Sequence, residues 1–411
     1  MLTRRSAVTA AAALAATAGL GARSAYAADK VLKVGINLSF TGSDAESALR
    51  VSNGAVMAFE EANAKKEVKG YTFEPVKYDD GTATAGQYDP AQAATNARKM
   101  VSDKDTIAAI GPQMSGSGKA MSPILSSGGL ATITPSSTNP DITDPKFAAQ
   151  YRPGGKAIYF RTVTTDAYQG PNMANYFADT LKVKSVYVLD DSGAYGVGLA
   201  DAFQAQAEKK GIKVLGRDKL DPKAADYSAV LTKIKSLNPD AIYYGGVGQA
   251  GTKLAKQAYE IVPKMIKAGG DGLYGPEMLT AVGFPAVEGW YATIASPHLT
   301  EDKRLGDWVK RYKARFKVPP EDYSITAYDG ALIIIAAAKK IAASGKPVTR
   351  EAIRDAIEAD KVSTLQGDVA FDANGDLKSK IVSVFQIHKN DAQPLDDVDG
   401  QYKYIGVAPQ S

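Results

Sequence analysis

From residue 31 onward, short apolar runs alternate with helix-patterned segments, and the alternation is played out twice. Residues 31–38 read as a strand and 53–64 as a helix with Val56, Phe59 and Ala62 toward the core. Residues 71–78 follow as a strand, and 90–101 as a helix with Pro90 at its start. Two short apolar runs, 106–110 and 130–134, read as buried parallel strands flanking a short helix at 119–127. Residues 141–155, rich in Pro, Gly, Asp and Lys, interrupt the pattern. It restarts with strand 184–190, helix 196–210 ended by Gly211, strand 213–219, helix 227–237, strand 241–244, helix 252–261 and a short strand 272–274. Residues 303–316, 323–343 and 350–359 are expected to be helical. The chain then reads as strand 368–371, a turn at Asn374-Gly375 and strand 381–388. A sequence of this kind predicts an α/β fold of two halves of similar pattern in tandem.

Two loops stand out within the first half. One, residues 111–118, is Gly-Pro-Gln-Met-Ser-Gly-Ser-Gly; the other, 135–140, is Pro-Ser-Ser-Thr-Asn-Pro. Each follows a strand, so both open on the same edge of one sheet, where open α/β sheets bind ligands. Small hydroxyls and free N–H groups at helix starts suit a carboxylate. Ser, Thr, Gly and Pro also make ordinary turns. It is the pair of loops, placing Ser115 beside Ser136, Ser137 and Thr138, that favours a site.

The first 27 residues have the form of an export signal. Arg4-Arg5 precedes an uncharged Ala-rich stretch and then Ala25-Tyr26-Ala27, an n-region, an h-region and an A-x-A cleavage site. Thr3-Arg4-Arg5-Ser6 suggests the twin-arginine route. Removing these residues from 411 leaves 384, enough for two well-filled domains in an exported protein. No later segment approaches eighteen consecutive apolar residues. The absence of cysteine excludes disulfides, thiolate zinc sites and Cys nucleophiles. The formal charge is +4, but Arg4, Arg5 and Arg23 lie in the signal, which has no acid. The remainder is near +1, without a basic block for nucleic acid.

Several motifs bear on other chemistries. Gly246-Val-Gly248-Gln-Ala-Gly251 is a literal G-x-G-x-x-G, but the acid about twenty residues on, Asp271, is expected to precede the next strand instead of ending it. Ser117-Gly118-Lys119 resembles a P-loop fragment in which Gln113 and Ala120 replace the required Gly and Ser/Thr. Residues 372–376 read as a turn more than as a calcium loop. His298 and His388 are the only histidines, expected at the surface or in packing, and there is no G-x-S-x-G elbow. A hydrolase built on Ser115 lacks a paired base, and a dehydrogenase built on Gly246 lacks its ribose acid. No catalytic residue, cofactor or metal is expected. Three further polar positions sit where the second half would face the first. Asp166 has a helix N-cap as its alternative reading, Tyr195 a packed ring, and Glu277 a solvated loop acid.

In order and spacing, a longer set of segments resembles the leucine/isoleucine/valine-binding family, the substrate-binding proteins of branched-chain amino acid ABC transporters. It includes Thr41-Gly42, Asn53-Gly54-Ala55, Tyr78-Asp79-Asp80, Thr138-Asn139-Pro140, Arg161-Thr162, Gln169-Gly170-Pro171, Tyr195-Gly196, Tyr243-Tyr244-Gly245-Gly246, Gly275-Pro276-Glu277 and Val384-Phe385-Gln386. The resemblance implies a type I periplasmic binding fold, two lobes joined by three crossovers around one ligand. The first lobe would comprise 28–165 and about 298–377, and the second 166–297 and about 378–411. It also implies that Ser115 and the 136–138 loop bind an amino acid's carboxylate and part of its ammonium. Glu277 then pairs with the ammonium, Tyr195 forms an aromatic lid, and Tyr328 falls near a further contact. A membrane permease and ATPase are the implied partners of a monomeric binding protein.

Departures from the family pattern bear on the ligand. Ser47 stands where an aromatic residue is usual, Val247-Gly248 where tyrosines are frequent, and Ser136-Ser137 replace a small apolar pair. Loss of aromatic walls reshapes the side-chain pocket and leaves room for other amino acids, aromatic acids or a short amide. The retained Glu277 argues for an amine, since an enclosed carboxylate without a partner is costly.

Overall fold

The computed structural model describes residues 29–410; the expected signal segment lies outside them. Two sheets organise the chain. The first contains β1 (Lys30–Leu38), β2 (Tyr71–Asp79), β3 (Thr106–Ile110), β4 (Thr132–Thr134) and β5 (Tyr159–Arg161), in the order β2-β1-β3-β4-β5, all parallel. The second contains β6 (Ser185–Asp190), β7 (Lys213–Lys219), β8 (Ala241–Gly245), β9 (Ile266–Gly269), β10 (Tyr291–Ile294), β11 (Ser383–Ile387) and β12 (Tyr402–Val407). Its order is β12-β11-β10-β9-β8-β6-β7, with β11 and β12 antiparallel to their neighbours. This is the type I periplasmic binding protein fold. Its parallel central strands are buried along nearly their whole length, as strands covered by helices on both faces must be.

Helices α1 (Ala45–Ala64), α2 (Pro90–Ser102) and α3 (Ser115–Ser127) cover the first sheet, with α4 (Asp166–Asp179), α5 (Ala194–Lys209), α6 (Ser228–Leu237) and α7 (Gly248–Ile261) on the second. Pro90 stands at the first helical position of α2, and Asp89 caps it by accepting from the Ala91 N–H at 2.8 Å. The later helices α8 (Gly306–Phe316), α9 (Asp322–Ala343) and α10 (Arg350–Ala359) return to the first sheet. The Tyr312 hydroxyl on α8 donates to the Arg50 carbonyl of α1 at 2.7 Å. The chain thus passes between the sheets three times, after Arg161, after Ile294 and between Val369 and Ser383. No helix among the described residues is long and apolar enough to cross a membrane.

The sequence reading needs correction at several points. The expected hairpin over 368–388 does not form as one unit. Gly367–Val369 pairs with Val362–Thr364, whereas β11 pairs with β10 and β12 in the other sheet. Local turn chemistry at Asn374-Gly375 is real, Gly375 having φ of +97°, but long-range pairing decides where the next strand goes. Strands β5, β10 and β12 were not foreseen. The short strand expected at 272–274 is a 3₁₀ turn, and the strand lies earlier, at Ile266–Gly269. Asp271 therefore follows a strand end and does not precede a strand. His298, expected at the surface or in packing, is a packed crossover residue, its ring against Phe385 and Tyr404 and its Nδ1 2.9 Å from Asp322 Oδ2. Burial opposes its charge, but the Asp322 and Asp399 carboxylates prevail and hold it up to about 9.

Candidate functional site

The carboxyl ends of both sheets face one another across one cleft. One wall comes from Asp44 and Ser47 at the start of α1, Gln113, Met114 and Ser115 after β3, and Ser136 after β4. The opposite wall comes from Tyr195, from Val247, Gly248 and Thr252 around the start of α7, and from residues 271–278. The two walls touch. Asn139 Nδ2 donates to the Ala194 carbonyl at 2.8 Å, Gln249 Nε2 to the Ala85 carbonyl at 3.3 Å, and the Ser47 N–H to Glu277 Oε1 at 2.7 Å. The cleft is closed.

The hydroxyl loops are held together by an alternation in the sequence. Thr132, Thr134 and Ser136 point the same way along an extended segment. Their hydroxyls donate in turn to the carbonyls of Gly111 (2.5 Å), Pro112 (2.6 Å) and Gln113 (3.1 Å). Thr134 Oγ1 also accepts from the N–H groups of Ser136 and Ser137, folding the loop over the strand end. Ser115, the first residue of α3, accepts at its Oγ from the Asn139 N–H and from Ser137 Oγ, both at 3.2 Å. Its own proton is left for an anion in the cleft, beside the unpaired N–H groups of the helix start.

Arg161, fully buried at the end of β5, fixes the second loop from behind. It donates to the Ser137 carbonyl (2.5 Å), the Asn139 carbonyl (2.8 Å), Thr143 Oγ1 (3.1 Å) and Asp376 Oδ1 (2.8 Å). Arg161→Met should strand two loop carbonyls, destabilise the fold by on the order of 3 kcal/mol and weaken ligand binding as well. Urea unfolding and calorimetry would check this, and unchanged values of both would show that the loop holds its shape without the guanidinium.

Across the cleft, Asp271 anchors two tyrosines. Tyr195 OH donates to its Oδ1 at 2.5 Å, Tyr323 OH to its Oδ2 at 2.7 Å, and Gln169 Nε2 to its Oδ1 at 2.9 Å. Gln169 also donates to Asp166 at 3.0 Å. Burial, and the charge of Asp271 beside it, push the Asp166 carboxyl well up. Asp166 belongs to this buried network under the floor, and its N–H donates to the Thr138 carbonyl at 3.0 Å, linking α4 to the first-sheet loop. It is the first residue of α4, with Thr165 at the N-cap, so the N-cap reading is also displaced.

Glu277 reaches the first turn of α1, where its Oε1 holds the Ser47 N–H. Ser47 Oγ in turn donates to Glu321 Oε1 at 2.6 Å. Burial, then the Asp44 and Glu321 carboxylates, raise Glu277 well above its ordinary value, and burial pushes Glu321 up to about 7. Asp44 makes the reciprocal contact. Its side chain accepts from Ser43 Oγ at 2.6 Å and faces the Gly248 N–H at the start of α7. A Cβ at Gly248 would stand 3.2 Å from Asp44 Oδ1, so the second glycine of the G-x-G-x-x-G run lets an acid approach a helix start. The end that would cradle a pyrophosphate is filled by this chain's own carboxylate.

Of the eight residues singled out from the sequence, Ser115, Ser136, Tyr195 and Glu277 line the cleft. Ser137, Thr138 and Asp166 stand behind its wall. Tyr328 is elsewhere: its hydroxyl donates to Glu61 Oε2 at 2.8 Å, and its ring packs edge-on to Trp308. Five positions after Tyr323 on the same helix, it is turned about 140° away from the cleft. The residue that α9 contributes is Tyr323. Asp44, Gln113, Asp271 and Tyr274 also line the cleft and were not foreseen. Asp44 and Gln113 had a usable signal, since each lies in a segment that follows a first-half strand. Among the described residues no three His, Cys, Asp or Glu side chains are grouped to share a metal ion.

Two α/β lobes whose strand ends close on one shared cleft define a hinged solute-binding protein. The periplasmic binding protein family model matches residues 31–392, and the chain belongs to that family. It is 32% identical over 375 residues to the Leu/Ile/Val-binding protein BraC3 of Rhizobium johnstonii, covering 90% of this chain and 96% of that one. The leucine binding protein LivK of Thermotoga maritima superposes with a TM-score of 0.76 at 26% identity, covering 92% of this chain and 98% of that one. A solute-binding protein of an ABC transporter from R. palustris, solved with benzoate, shares the fold with a TM-score of 0.75 at 20% identity, over 93% and 97% of the two chains.

Proposed function

We propose that this protein binds a small α-amino acid in the periplasm by closing two lobes, and delivers it to the permease and ATPase of an ABC importer. The observation that carries the reading is the polarity of the cleft. Ser115 and the start of α3 offer donors on one side, and Glu277 offers a carboxylate on the other. Those two ends match an α-carboxylate and an α-ammonium. The names of the relatives support amino acids as the ligand class.

Closure is the functional step, because a ligand touching both walls favours the closed state by its contacts with each. The protein freed of ligand should therefore show a larger radius of gyration in solution scattering than the protein saturated with a cognate amino acid. Calorimetry should show the amino acid binding and its amide failing, each lost charge-assisted hydrogen bond costing about 1.5–3 kcal/mol. Equal affinity for acid and amide would sink the carboxylate assignment. A simple aromatic acid is the second reading, suggested by the benzoate-bound structure of the same fold. It leaves Glu277 without a cation.

A further inference from the structure

Three carboxylates line the cleft, Asp44, Asp271 and Glu277, and no Lys, Arg or His among the described residues does. Asp271 is spent on Tyr195, Tyr323 and Gln169. Under the function proposed above, Glu277 pairs with the α-ammonium. Asp44 then remains. It is 7% exposed, and its contacts are a serine hydroxyl and a helix start, with no cation among them.

A second feature, independent of the acids, points the same way. Gln113 lines the cleft, is 9% exposed, and its Oε1 is buried without a hydrogen-bond partner. A buried acceptor left unmade is costly, and a ligand donor that reached Gln113 would relieve that cost. Ser47 and Thr252 also line the wall, their hydroxyls already donating to Glu321 and to the Gly248 carbonyl, beside apolar surface from Met114, Val247, Leu273 and Met278. The cleft has a surplus of acceptors and of negative charge, while an amino acid with an apolar side chain supplies only the donors of its ammonium.

We propose that the ligand is an α-amino acid whose side chain ends in a second, donor-rich cation, an amine or a guanidine, with Asp44 and Gln113 as specificity-determining contacts. The proposal rests on the amino-acid reading and narrows it. A neutral side chain would enclose the Asp44 carboxylate without a counter-charge, and a desolvated charge without a partner opposes closure. A guanidine or amine satisfies the charge of Asp44 and the Gln113 oxygen together.

The test uses the purified chain, freed of ligand, and calorimetry with arginine, its neutral isostere citrulline, and leucine. Arginine should bind at least about tenfold tighter than citrulline, the ratio expected for one charge-assisted contact, and leucine should be weaker still. Asp44→Asn should bring arginine and citrulline to within about threefold of each other, mainly by weakening arginine. Gln113→Leu should weaken arginine and strengthen leucine, and it decides the question if Asp44→Asn does not fold. Citrulline or leucine binding the wild type as tightly as arginine would overturn the proposal while leaving the amino-acid reading intact. So would an arginine preference that survives both substitutions. Binding of benzoate with no response to any of the three amino acids would overturn the amino-acid reading itself.

Discussion

Glu277→Gln is expected to weaken binding of the cognate amino acid by about 2–5 kcal/mol, the usual cost of truncating one partner of an enclosed charge pair. The substitution keeps the size of the side chain, and the amide oxygen can still accept from the Ser47 N–H. Closure itself should therefore survive. What is lost is the charge that an enclosed ammonium needs. The fold should be little affected, because Glu277 belongs to a surface turn once the lobes part. A deaminated analogue of the same ligand should bind the mutant as well as the wild type or better, since a neutral amide does not repel its carboxylate. Titrating both proteins with both ligands gives four affinities, and the ratio of ratios isolates the ammonium contact. A ratio near one would make Glu277 a closure contact alone.

The second large effect is on the pH dependence of binding. In the closed cleft, burial and the neighbouring Asp44 and Glu321 carboxylates hold Glu277 well above its ordinary value of 4.5. In the open state, with water around it, that elevation is relieved. Closing on a ligand that lacks an amine then requires Glu277 to take up a proton. The affinity of such a ligand should fall as pH rises above about 4.5, by up to tenfold per unit, until the closed-state value is passed. An α-ammonium takes the place of that proton, so the amino acid should show a much flatter profile. Calorimetry between about pH 5 and pH 8 in buffers of different ionisation enthalpy would report both the affinity and the protons exchanged. Parallel profiles for an amino acid and its deaminated analogue would refute the coupling.

Much of the fold was legible because its determinants are local. The apolar runs at 106–110 and 241–244 and the Pro90 helix start specify their elements through neighbours a few residues away. The two hydroxyl loops were legible for the same reason. Each follows a strand within one α/β unit, so chain connectivity alone places Ser115 and Ser136 at the carboxyl edge of the first sheet. Tyr195 and Glu277 were legible only as polar positions at strand ends of the second half, each with an ordinary packing or loop reading beside it; their roles toward a ligand came from the resemblance to a family.

Pairings across long separations decided the rest. β11 reads locally as half of a hairpin, yet it pairs with β10 far earlier in the chain, because the second sheet offers a free edge there. Tyr323 and Tyr328 cannot be told apart by composition, and only the orientation of α9 against the first sheet turns one into the cleft and the other toward Glu61. Asp44 and Glu277 lie far apart in the chain, in segments that read as ordinary loops. Closure brings each to the start of a helix on the opposite lobe, and there the loss of water changes what their charge can do. The sequence by itself determined most of the central strands and helices and the sheet edge on which the two hydroxyl loops open. The tertiary structure decided which carboxylates are enclosed together, because desolvation and like-charge repulsion belong to the closed cleft and have no counterpart along the chain.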